Sequence, residues 1–272
     1  MSVTLDFSGK TIVVIGGTSG INRGIAKSFA AHGAKLAVAS RDQNKVDDTV
    51  SDLQNAGAQE AIGSAFDVRD PDAVAESMQM FHQQLGDFDV LISGAAGNFP
   101  AFAAEMSTNA FRSVIEIDLM GTIHVMKAAY PYLKRPEASV INISAPQSWL
   151  PYEGQSHVCA AKAGVDQITR TLSLEWGREG IRVNSVVPGF IDNTEGLRRL
   201  APNEETRESL NQAIPAGRLG QKQDVANACM FLASDLSSYI SGSLIVVDGA
   251  VYQRGSGQIG QDIANALRTR AS

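Results

Sequence analysis

Runs of apolar residues recur along the chain, and segments with helical periodicity lie between most of them. The first run, Thr-Ile-Val-Val-Ile at 11–15, is rich in β-branched residues without polar alternation, which is typical of a strand buried on both faces. Similar runs follow at 35–40, 61–66, 89–93, 139–144, 181–187 and 244–248. This alternation predicts the α/β class, with a doubly wound parallel sheet of the Rossmann type, about seven strands and helices on both faces.

The segments between the runs carry their apolar residues on one face. A helix is predicted from about 42 to 56, with Val46, Val50 and Leu53 on its inner side. In the next helix Asp70 is the expected N-cap, with Pro71 in the first turn. The inward positions of that helix are Val74, Met78, Phe81 and Leu85.

The first strand leads into a glycine-rich turn and then into a helix. Gly16, Gly17 and Gly20 form this turn, and Gly33 stands where the helix should end. Small residues there let a pyrophosphate contact backbone N–H groups at the positive end of the helix, which favours dinucleotide binding over a tight loop without a ligand. Asn22 occupies the place of a usual third glycine, and we expect it to keep the turn by accepting left-handed backbone.

Composition narrows the function classes. The chain has 272 residues, 44% of them hydrophobic, and no linker-like stretch, so we expect one domain over 1–272 with a C-terminal extension at 252–272. The net charge of -6 argues against nucleic-acid and anionic-membrane partners. The two cysteines form no disulfide framework, and no run of apolar residues is long enough to span a membrane, so a cytoplasmic location is expected.

The end of the second strand indicates the form of the cofactor. An acidic residue there would bind a free ribose 2′-hydroxyl, but the chain has Ser40 and Arg41. Because a guanidinium can bind a 2′-phosphate through two hydrogen bonds, NADPH is favoured over NADH, the alternative being that Arg41 is a solvated surface charge. Arg23 is a second candidate cation, with solvent as its alternative.

Further motifs carry a family resemblance. They are Asp67-Val68 after the third strand, the Ser-Gly-Ala-Ala-Gly stretch at 93–97, Lys162 in a later helix, and Pro188-Gly189 after the sixth strand. In this order, together with the glycine turn, they resemble the short-chain dehydrogenase/reductase family across nearly the whole chain. The resemblance implies a homotetramer and a cofactor site made of Gly16, Gly17, Thr18, Ser19, Gly20, Ile21, Arg41, Asp67, Val68, Gly94, Ala95, Lys162, Pro188, Gly189, Ile191 and Thr194.

The chain departs from this family at the catalytic positions. Most members have a tyrosine four residues before the lysine and a serine thirteen before the tyrosine; here these positions are Val158 and Ala145. Ketone reduction leaves an alkoxide that a lysine-assisted phenol protonates, and valine cannot do this. Tyr152, ten residues before Lys162, is the one substitute, and it would need an unusual loop.

A second exchange places Asp118 where the family usually has an asparagine. Together with the missing tyrosine, His157 and the segments at 95–99 and 194–200, it resembles the 2,4-dienoyl-CoA reductases, the peroxisomal type more than the mitochondrial one. The resemblance implies catalytic roles for Asp118 and Lys162. It also implies an acyl-thioester substrate contacted by Arg69, Phe99, Ser144, His157 and Arg199.

That chemistry needs no phenol. Hydride addition to the far carbon of a dienoyl thioester delocalises charge onto the thioester oxygen, and the proton then goes to carbon. Lys162 would anchor the nicotinamide ribose, while Asp118 would orient a water near the α-carbon. The alternative, Asp118 as the acid itself, requires its pKa to rise from about 3.9 toward neutrality against the nearby lysine.

Several assignments stay open. Ser144 and His157 are candidates for oxyanion contacts, with a structural hydrogen-bonding role as the alternative. Arg69 and Arg199 are candidates for the phosphates of coenzyme A or are surface charges, and 192–214 is expected to form a lid. For the whole protein, the alternatives to a dienoyl thioester reductase are a carbonyl reductase or alcohol dehydrogenase with an unusual proton donor, and a catalytically silent NADP(H)-binding protein.

Overall fold

A parallel sheet of seven strands forms the centre of the fold in the computed structural model, which describes residues 5–201 and 203–253. The strand order is β3-β2-β1-β4-β5-β6-β7. The strands are β1 Thr11–Ile15, β2 Lys35–Ser40, β3 Glu60–Ala65, β4 Val90–Ser93, β5 Ser139–Ile143, β6 Arg182–Pro188 and β7 Leu244–Val247. Every pairing is parallel, so the predicted fold class is confirmed, with strand ends shifted by one or two residues.

Nine helices are described around this sheet within residues 5–201 and 203–253. They are α1 Gly20–Ala31, α2 Gln43–Asn55, α3 Pro71–Leu85, α4 Thr108–Val114, α5 Gly121–Ala129, α6 Ser156–Gly177, α7 Glu195–Leu200, α8 Glu204–Ala213 and α9 Lys222–Ala233. A single π-helical turn, Ile115–Met120, joins α4 to α5. Short 3₁₀ turns lie at Tyr130–Tyr132, Pro146–Ser148, Asp235–Ser237 and Val251–Gln253.

The two faces of the sheet bury separate apolar clusters. One packs α1 and α9 against the sheet around Phe29 and Ile92, and the other packs α3 and α5 around Phe81 and Leu91. Asp70 caps α3 by accepting bonds from the backbone N–H groups of residues 72 and 73, as the sequence predicted. The apolar stripes of α2 and α3 therefore face the core.

The order in which strands are added to the sheet reverses between β1 and β4: β2 and β3 extend the sheet on one side of β1, and β4 to β7 extend it on the other. β1 pairs with β2 on one side and with β4 on the other. In such sheets the loops at the carboxyl ends of these strands separate and leave a crevice. The glycine turn after β1, the residues after β2 and the 94–97 loop after β4 all open onto this crevice.

The segment at 192–214 folds into α7 and α8 over the carboxyl ends of β6 and β7. Leu197, Ala201, Ile214 and Leu219 form a small cluster of their own there. Val251, in the last described turn, packs against this cluster. Residues 254–272, which hold most of the predicted C-terminal extension, lie outside the described residues, so the extent of the domain stays a prediction.

Candidate active site

The glycine turn is shaped for close approach. Gly16 and Gly20 have φ angles of 75° and 54°, in the left-handed region that favours glycine. A Cβ on Gly16 would lie 3.0 Å from the backbone nitrogen of Ala95, and one on Gly17 would lie 2.8 Å from the carbonyl oxygen of Val14. Side chains at these positions would therefore push the turn away from both β1 and the 94–97 loop.

The amino end of α1 points its N–H groups into the crevice. The first backbone hydrogen bond of this helix runs from Arg23 N to Ser19 O, at 3.1 Å. The N–H groups of residues 20–22 precede it and are left for a ligand. The side chain of Ser19 makes no capping bond either, so the positive end of the helix stays available to an anion.

Asn22 does not take the left-handed backbone that the sequence analysis expected. It lies in the first turn of α1, and its φ is not among the positive ones. That expectation is wrong because the turn ends at Gly20, before Asn22. The side chain reaches across the crevice instead, and its Nδ2 donates to the carbonyl oxygen of Gly94 at 2.8 Å.

A cavity of about 400 Å³ fills the crevice. It gathers most of the predicted cofactor residues: Gly16, Thr18, Ser19, Gly20, Ile21, Arg41, Asp67, Val68, Gly94, Ala95 and Thr194. Gly17 lies behind them, packed between Val14 and Val38. The volume, the glycine cradle and the free helix terminus fit a dinucleotide.

Lys162 and three predicted cofactor residues at the end of β6 and after it do not line this cavity. Pro188 is the buried last residue of β6. Gly189 packs against Asp248, because a Cβ on it would lie 2.7 Å from the Asp248 Cα. Ile191 is buried and forms an isolated bridge with Gly220. These residues support the segment that carries Thr194 to the cavity.

Charged residues cluster where β2 and β3 end. Arg41 is exposed at the cavity and makes no hydrogen bond or ion pair with any described residue. Arg69 donates to both carboxylate oxygens of Asp67, at 3.0 and 2.6 Å, and this pairing lowers the pKa of Asp67. Arg23 pairs with Asp52 at 2.6 Å on the outer surface. Arg41 is therefore the lining cation that is free of a protein partner.

Asp118 is a buried ionisable group at the inner end of the site. The π-helical turn between α4 and α5 carries it, and it is 1% exposed. Its Oδ1 accepts a bond from Gly97 N at 2.7 Å, and its Oδ2 lies 3.5 Å from Nζ of Lys162. Burial raises the pKa of Asp118, and the attraction of Lys162 offsets this effect only in part.

Lys162 comes from the second turn of α6 and is also buried. Its Nζ donates to the carbonyl oxygen of Ile143 at 3.1 Å. Because one N–H bond is directed at β5 and Asp118 is close on another side, the ammonium is fixed in direction. An ammonium held in this way has one remaining donor for a ligand.

The positions of the missing tyrosine and serine hold no proton donor. Val158 is 3% exposed and packs with Val114 and Ala161. Burial raises the pKa of Tyr152, and its phenol interacts with Tyr252 and Cys159 rather than with Lys162. The unusual loop that would bring Tyr152 to the lysine is therefore not observed.

A second group of buried polar atoms lies around α6 and the end of β5. His157 is fully buried, with its ring 4.6 Å from that of Phe99 and 6.1 Å from that of Phe111. Neither ring nitrogen makes a hydrogen bond of normal geometry with a described residue, and the same holds for the Ser144 hydroxyl. Burial lowers the pKa of His157, which keeps the imidazole neutral, while the Phe99 backbone and Asp118 act weakly in the opposite direction.

Among the remaining predicted substrate residues, the structure describes the side chains of Phe99 and Arg69. Phe99 is half-buried on the loop after β4, where its ring makes a tilted contact with His157. Arg69 is exposed and engaged with Asp67. The side chain of Arg199 lies outside what the structure describes, and Arg198 forms an ion pair with Glu195 at 3.0 Å.

Sequence reasoning missed two contacts that organise the site. The Gly97 N–H that holds Asp118 carries no side-chain signal. The sequence did hold a sign of the bond from Asn22 to Gly94, because an asparagine stands in the place of a glycine. We interpreted that asparagine as a feature of the backbone, whereas its side chain is what matters. Within the described residues no cluster of metal-ligating side chains is present.

Comparisons with known proteins agree with this geometry. A family model described as enoyl-(acyl carrier protein) reductase matches residues 16–251. The chain is 40% identical over 254 residues to the peroxisomal 2,4-dienoyl-CoA reductase, (3E)-enoyl-CoA-producing, of Arabidopsis thaliana, covering 90% of this chain and 85% of that protein. It is 35% identical over 243 residues to a probable 2,4-dienoyl-CoA reductase, (2E)-enoyl-CoA-producing, of Bacillus subtilis, covering 88% and 95%.

Solved structures give the same result. The crystal structure of a short chain dehydrogenase from Bacillus anthracis superimposes with a TM-score of 0.79 at 32% identity, covering 90% of this chain and 97% of that one. A short-chain type dehydrogenase/reductase from Mycobacterium ulcerans reaches a TM-score of 0.87 at 27% identity, covering 92% of both. The chain therefore belongs to the short-chain dehydrogenase/reductase family and is an oxidoreductase with a nicotinamide cofactor.

Proposed function

We propose that this protein is an NADPH-dependent reductase of a conjugated C=C bond in an enoyl or dienoyl thioester. The observation that carries the proposal is the buried pair of Asp118 and Lys162 beside a valine at the usual tyrosine position, Val158. Such a site lacks a phenol for an alkoxide but holds a carboxylate and an ammonium that can position a water. Seven relatives at 35–40% identity are named 2,4-dienoyl-CoA reductases, one of them as probable, and these names support the same substrate class.

The protein's own residues divide the work in this mechanism. When bound, the nicotinamide supplies a hydride for the δ-carbon of the dienoyl group. Lys162, held by Ile143 O, donates to the nicotinamide ribose and lends positive charge to the site. Asp118 keeps one oxygen on Gly97 N and offers the other, Oδ2, to a water that gives its proton to the α-carbon.

Protonation at the α-carbon sets the position of the remaining double bond. Addition of hydride at the δ-carbon and of a proton at the α-carbon leaves the bond between the β- and γ-carbons, a 3-enoyl thioester. Protonation at the γ-carbon would leave a 2-enoyl thioester instead. We assign the first outcome, in agreement with the (3E)-product in the name of the Arabidopsis relative.

The thioester oxygen needs hydrogen-bond donors as negative charge develops on it. Ser144 and His157 are buried and lack hydrogen bonds of normal geometry; Ser144 follows Ile143, which binds Lys162, and Asp118 acts electrostatically on His157, so we propose them for this role. The neutral imidazole of His157 retains one N–H donor. Phe99, whose ring is tilted against this imidazole, would cover the reacting part of the acyl chain.

The cofactor is proposed to be NADPH, bound by Lys162 and by the predicted cofactor residues that line the cavity, while the three at the end of β6 and after it support the segment that carries Thr194. Arg41 lines the adenosine end of the cavity without a protein partner, so its guanidinium is free for a 2′-phosphate. No acidic residue follows β2 at this position to bind a 2′-hydroxyl. At the rim, Arg69 and Arg199 are proposed to bind the phosphates of coenzyme A.

Assembly as a homotetramer is proposed from two uncovered apolar faces. A groove between α5 and α6 is lined by Ile123, Met126, Lys127, Tyr130, Ile168, Leu172, Glu175 and Trp176. β7 is an edge strand that pairs only with β6 among the described strands, and Val246 on it is 36% exposed. Two different faces that each pair with a second copy generate a tetramer with two kinds of interface.

The remaining proposals concern place and partners. Both cysteines are free, in agreement with a reducing compartment, and we keep the cytoplasmic assignment. No helix in the described part of the chain has the length and apolar character to cross a bilayer. The acidic net charge is the reason for assigning no nucleic-acid or membrane partner.

Substrate discrimination tests the proposed function. Purified protein is incubated with NADPH and, separately, a 2,4-dienoyl-CoA, a 2-enoyl-CoA and a 3-oxoacyl-CoA, while absorbance is followed at the nicotinamide and dienoyl bands. Turnover of the conjugated thioesters without turnover of the ketone is the expected result. Ketone reduction alone would identify a carbonyl reductase, and cofactor binding without oxidation of NADPH would identify a silent binding protein.

A further inference from the structure

The side chain of Asn22 and the backbone of Gly94 occupy one shared space between α1 and the loop after β4. Asn22 Nδ2 donates to Gly94 O at 2.8 Å, while Gly94 N donates to Ile15 O at 3.1 Å. A Cβ on Gly94 would overlap the amide group of Asn22. The absence of a side chain at 94 is therefore what makes room for the amide at 22.

The other half of the Asn22 amide has no partner. Asn22 is 8% exposed, and its Oδ1 is buried without a hydrogen bond among the described residues. The Gly94 carbonyl fixes the orientation of the amide, because turning Oδ1 toward it would place two oxygens face to face. Asn22 lines the cofactor cavity, so a free acceptor oxygen stands at the cavity wall.

We propose that Asn22 is a cofactor-positioning residue. Its Nδ2 fastens the 94–97 loop to α1, and its Oδ1 accepts a hydrogen bond from a ribose hydroxyl of the bound dinucleotide. A hydroxyl is the matching group because the pyrophosphate oxygens near the helix terminus are acceptors and would repel Oδ1. The inference rests on the nicotinamide cofactor, not on the identity of the reducible substrate.

This role explains how the turn works without a third glycine. Gly16 and Gly17 lie against backbone atoms, so neither position has room for a side chain. Position 22 can carry a side chain because the facing loop has none at Gly94. The hydrogen bond from Asn22 to this loop also affects the catalytic carboxylate, because Gly97 of the loop donates to Asp118.

A reciprocal exchange tests the shared space. Asn22→Gly, Gly94→Asn and the double variant that carries both changes are compared by NADPH titration, with nicotinamide fluorescence as the signal. Each single variant is expected to bind NADPH about tenfold or more weakly, because a hydrogen bond is lost or the amide is displaced. The double variant is expected to recover to within about threefold of the wild type, because one amide again fills the space.

A set of cofactor analogues, each lacking one ribose hydroxyl, tests the acceptor role of Oδ1. In the wild type, one analogue should bind about tenfold more weakly than NADPH. In Asn22→Gly, that analogue and NADPH should bind equally well. Wild-type affinity in Asn22→Gly, no recovery in the double variant, or equal losses for every analogue in both proteins would overturn the proposal. Because binding is measured without a thioester, failure here is distinct from failure of the proposed reaction. Circular dichroism of each variant identifies one that does not fold, and the analogue series on the wild type still decides the role of Oδ1.

Discussion

Asp118 is subject to two opposing effects, and the balance between them decides its chemistry. Burial disfavours the carboxylate, while Lys162 at 3.5 Å favours it, and the pKa of Asp118 is raised overall. A carboxylate that accepts from Gly97 N on Oδ1, and whose Oδ2 pairs with Lys162 at 3.5 Å without a hydrogen bond of normal geometry, is suited to hold a water by accepting its hydrogen bond. That role requires the ionised form.

Replacing Asp118 by asparagine tests this role. We expect turnover in Asp118→Asn to fall about 100-fold, the low end of the range for loss of a general acid–base group, while NADPH affinity stays within about twofold. Because the pKa of Asp118 is raised above 3.8, wild-type turnover should fall as the pH decreases, and this fall should occur above pH 3.8. The variant should not show this fall. Undiminished turnover in the variant would remove Asp118 from the mechanism.

Arg41 is the residue that we propose as the cause of a preference for NADPH. Arg41→Asp should weaken NADPH at least tenfold relative to NADH, since it removes the phosphate-binding fork and adds repulsion. Arg23→Asp is the matched control, because Arg23 is already paired with Asp52 on the outside. Fluorescence titrations with both cofactors measure the ratio, and an unchanged preference in Arg41→Asp would contradict the assignment.

The residue types in the sequence indicated the chemistry that we propose for these positions, but they did not indicate the contacts that the side chains make. An acid at 118 and a lysine at 162 could be identified from the sequence because they stand at family positions. Their separation of 3.5 Å and the bond to Gly97 N depend on three distant segments, and no local pattern encodes them. Asn22 shows the same limit, because its partner Gly94 lies 72 residues away.

At the scale of elements, the loop after β4 is attached to the helices that surround it at several points. Asn22 of α1 binds it at Gly94, Asp118 of the π-helical turn binds it at Gly97, and the ring of His157 of α6 contacts that of Phe99. The loop therefore connects the wall of the cavity to the carboxylate that we propose as catalytic. A change in the loop backbone should be felt at Asp118.

Gly97→Pro removes the N–H that holds Asp118, whereas Gly97→Ala keeps it. The Cβ of the alanine would make one tight contact, 3.3 Å from the terminal methyl of Ile117, which a small shift of that side chain relieves, and Gly97 has no positive φ, so alanine is tolerable. We expect turnover to fall at least tenfold in the proline variant and less than threefold in the alanine variant. Steady-state kinetics with a dienoyl thioester measure both, and equal losses would show that the N–H bond is unimportant.

The sequence pattern predicted the regular elements because their cause is local. A β-branched run buried on both faces identifies a strand, and Asp70 before Pro71 identifies the start of α3. The π-helical turn at Ile115–Met120 was not predictable in this way, since helical periodicity continues through it. The register of α4, α5 and α6 against one another creates the place for that turn.

At the scale of the whole molecule, residues 5–201 and 203–253 leave apolar surface uncovered. The groove between α5 and α6 exposes parts of Ile168 and Leu172, and β7 has no partner on its outer edge among the described strands. Burial of such surface stabilises an assembly by about 25 cal/mol per Å² before the costs of association.

Leu172→Asp should therefore break the assembly. A carboxylate at 172 would lose its hydration in the proposed interface, and Lys127 and Glu175 of the same groove act on it in opposite directions, so the tetramer should dissociate to dimers or monomers. Gln54→Asp on the exposed side of α2 is the control and should leave the assembly intact. Light scattering coupled to size exclusion gives the masses. A monomeric wild type would refute the proposed assembly.

Every proposal about the substrate depends on where the proton goes. Reduction of a 2,4-dienoyl-CoA by NADPH in deuterium oxide, with the product analysed by NMR, reports this directly. The account predicts a 3-enoyl thioester that carries one solvent deuterium at the α-carbon. A 2-enoyl product with deuterium at the γ-carbon, or an alcohol formed only from a 3-oxoacyl thioester, would contradict it.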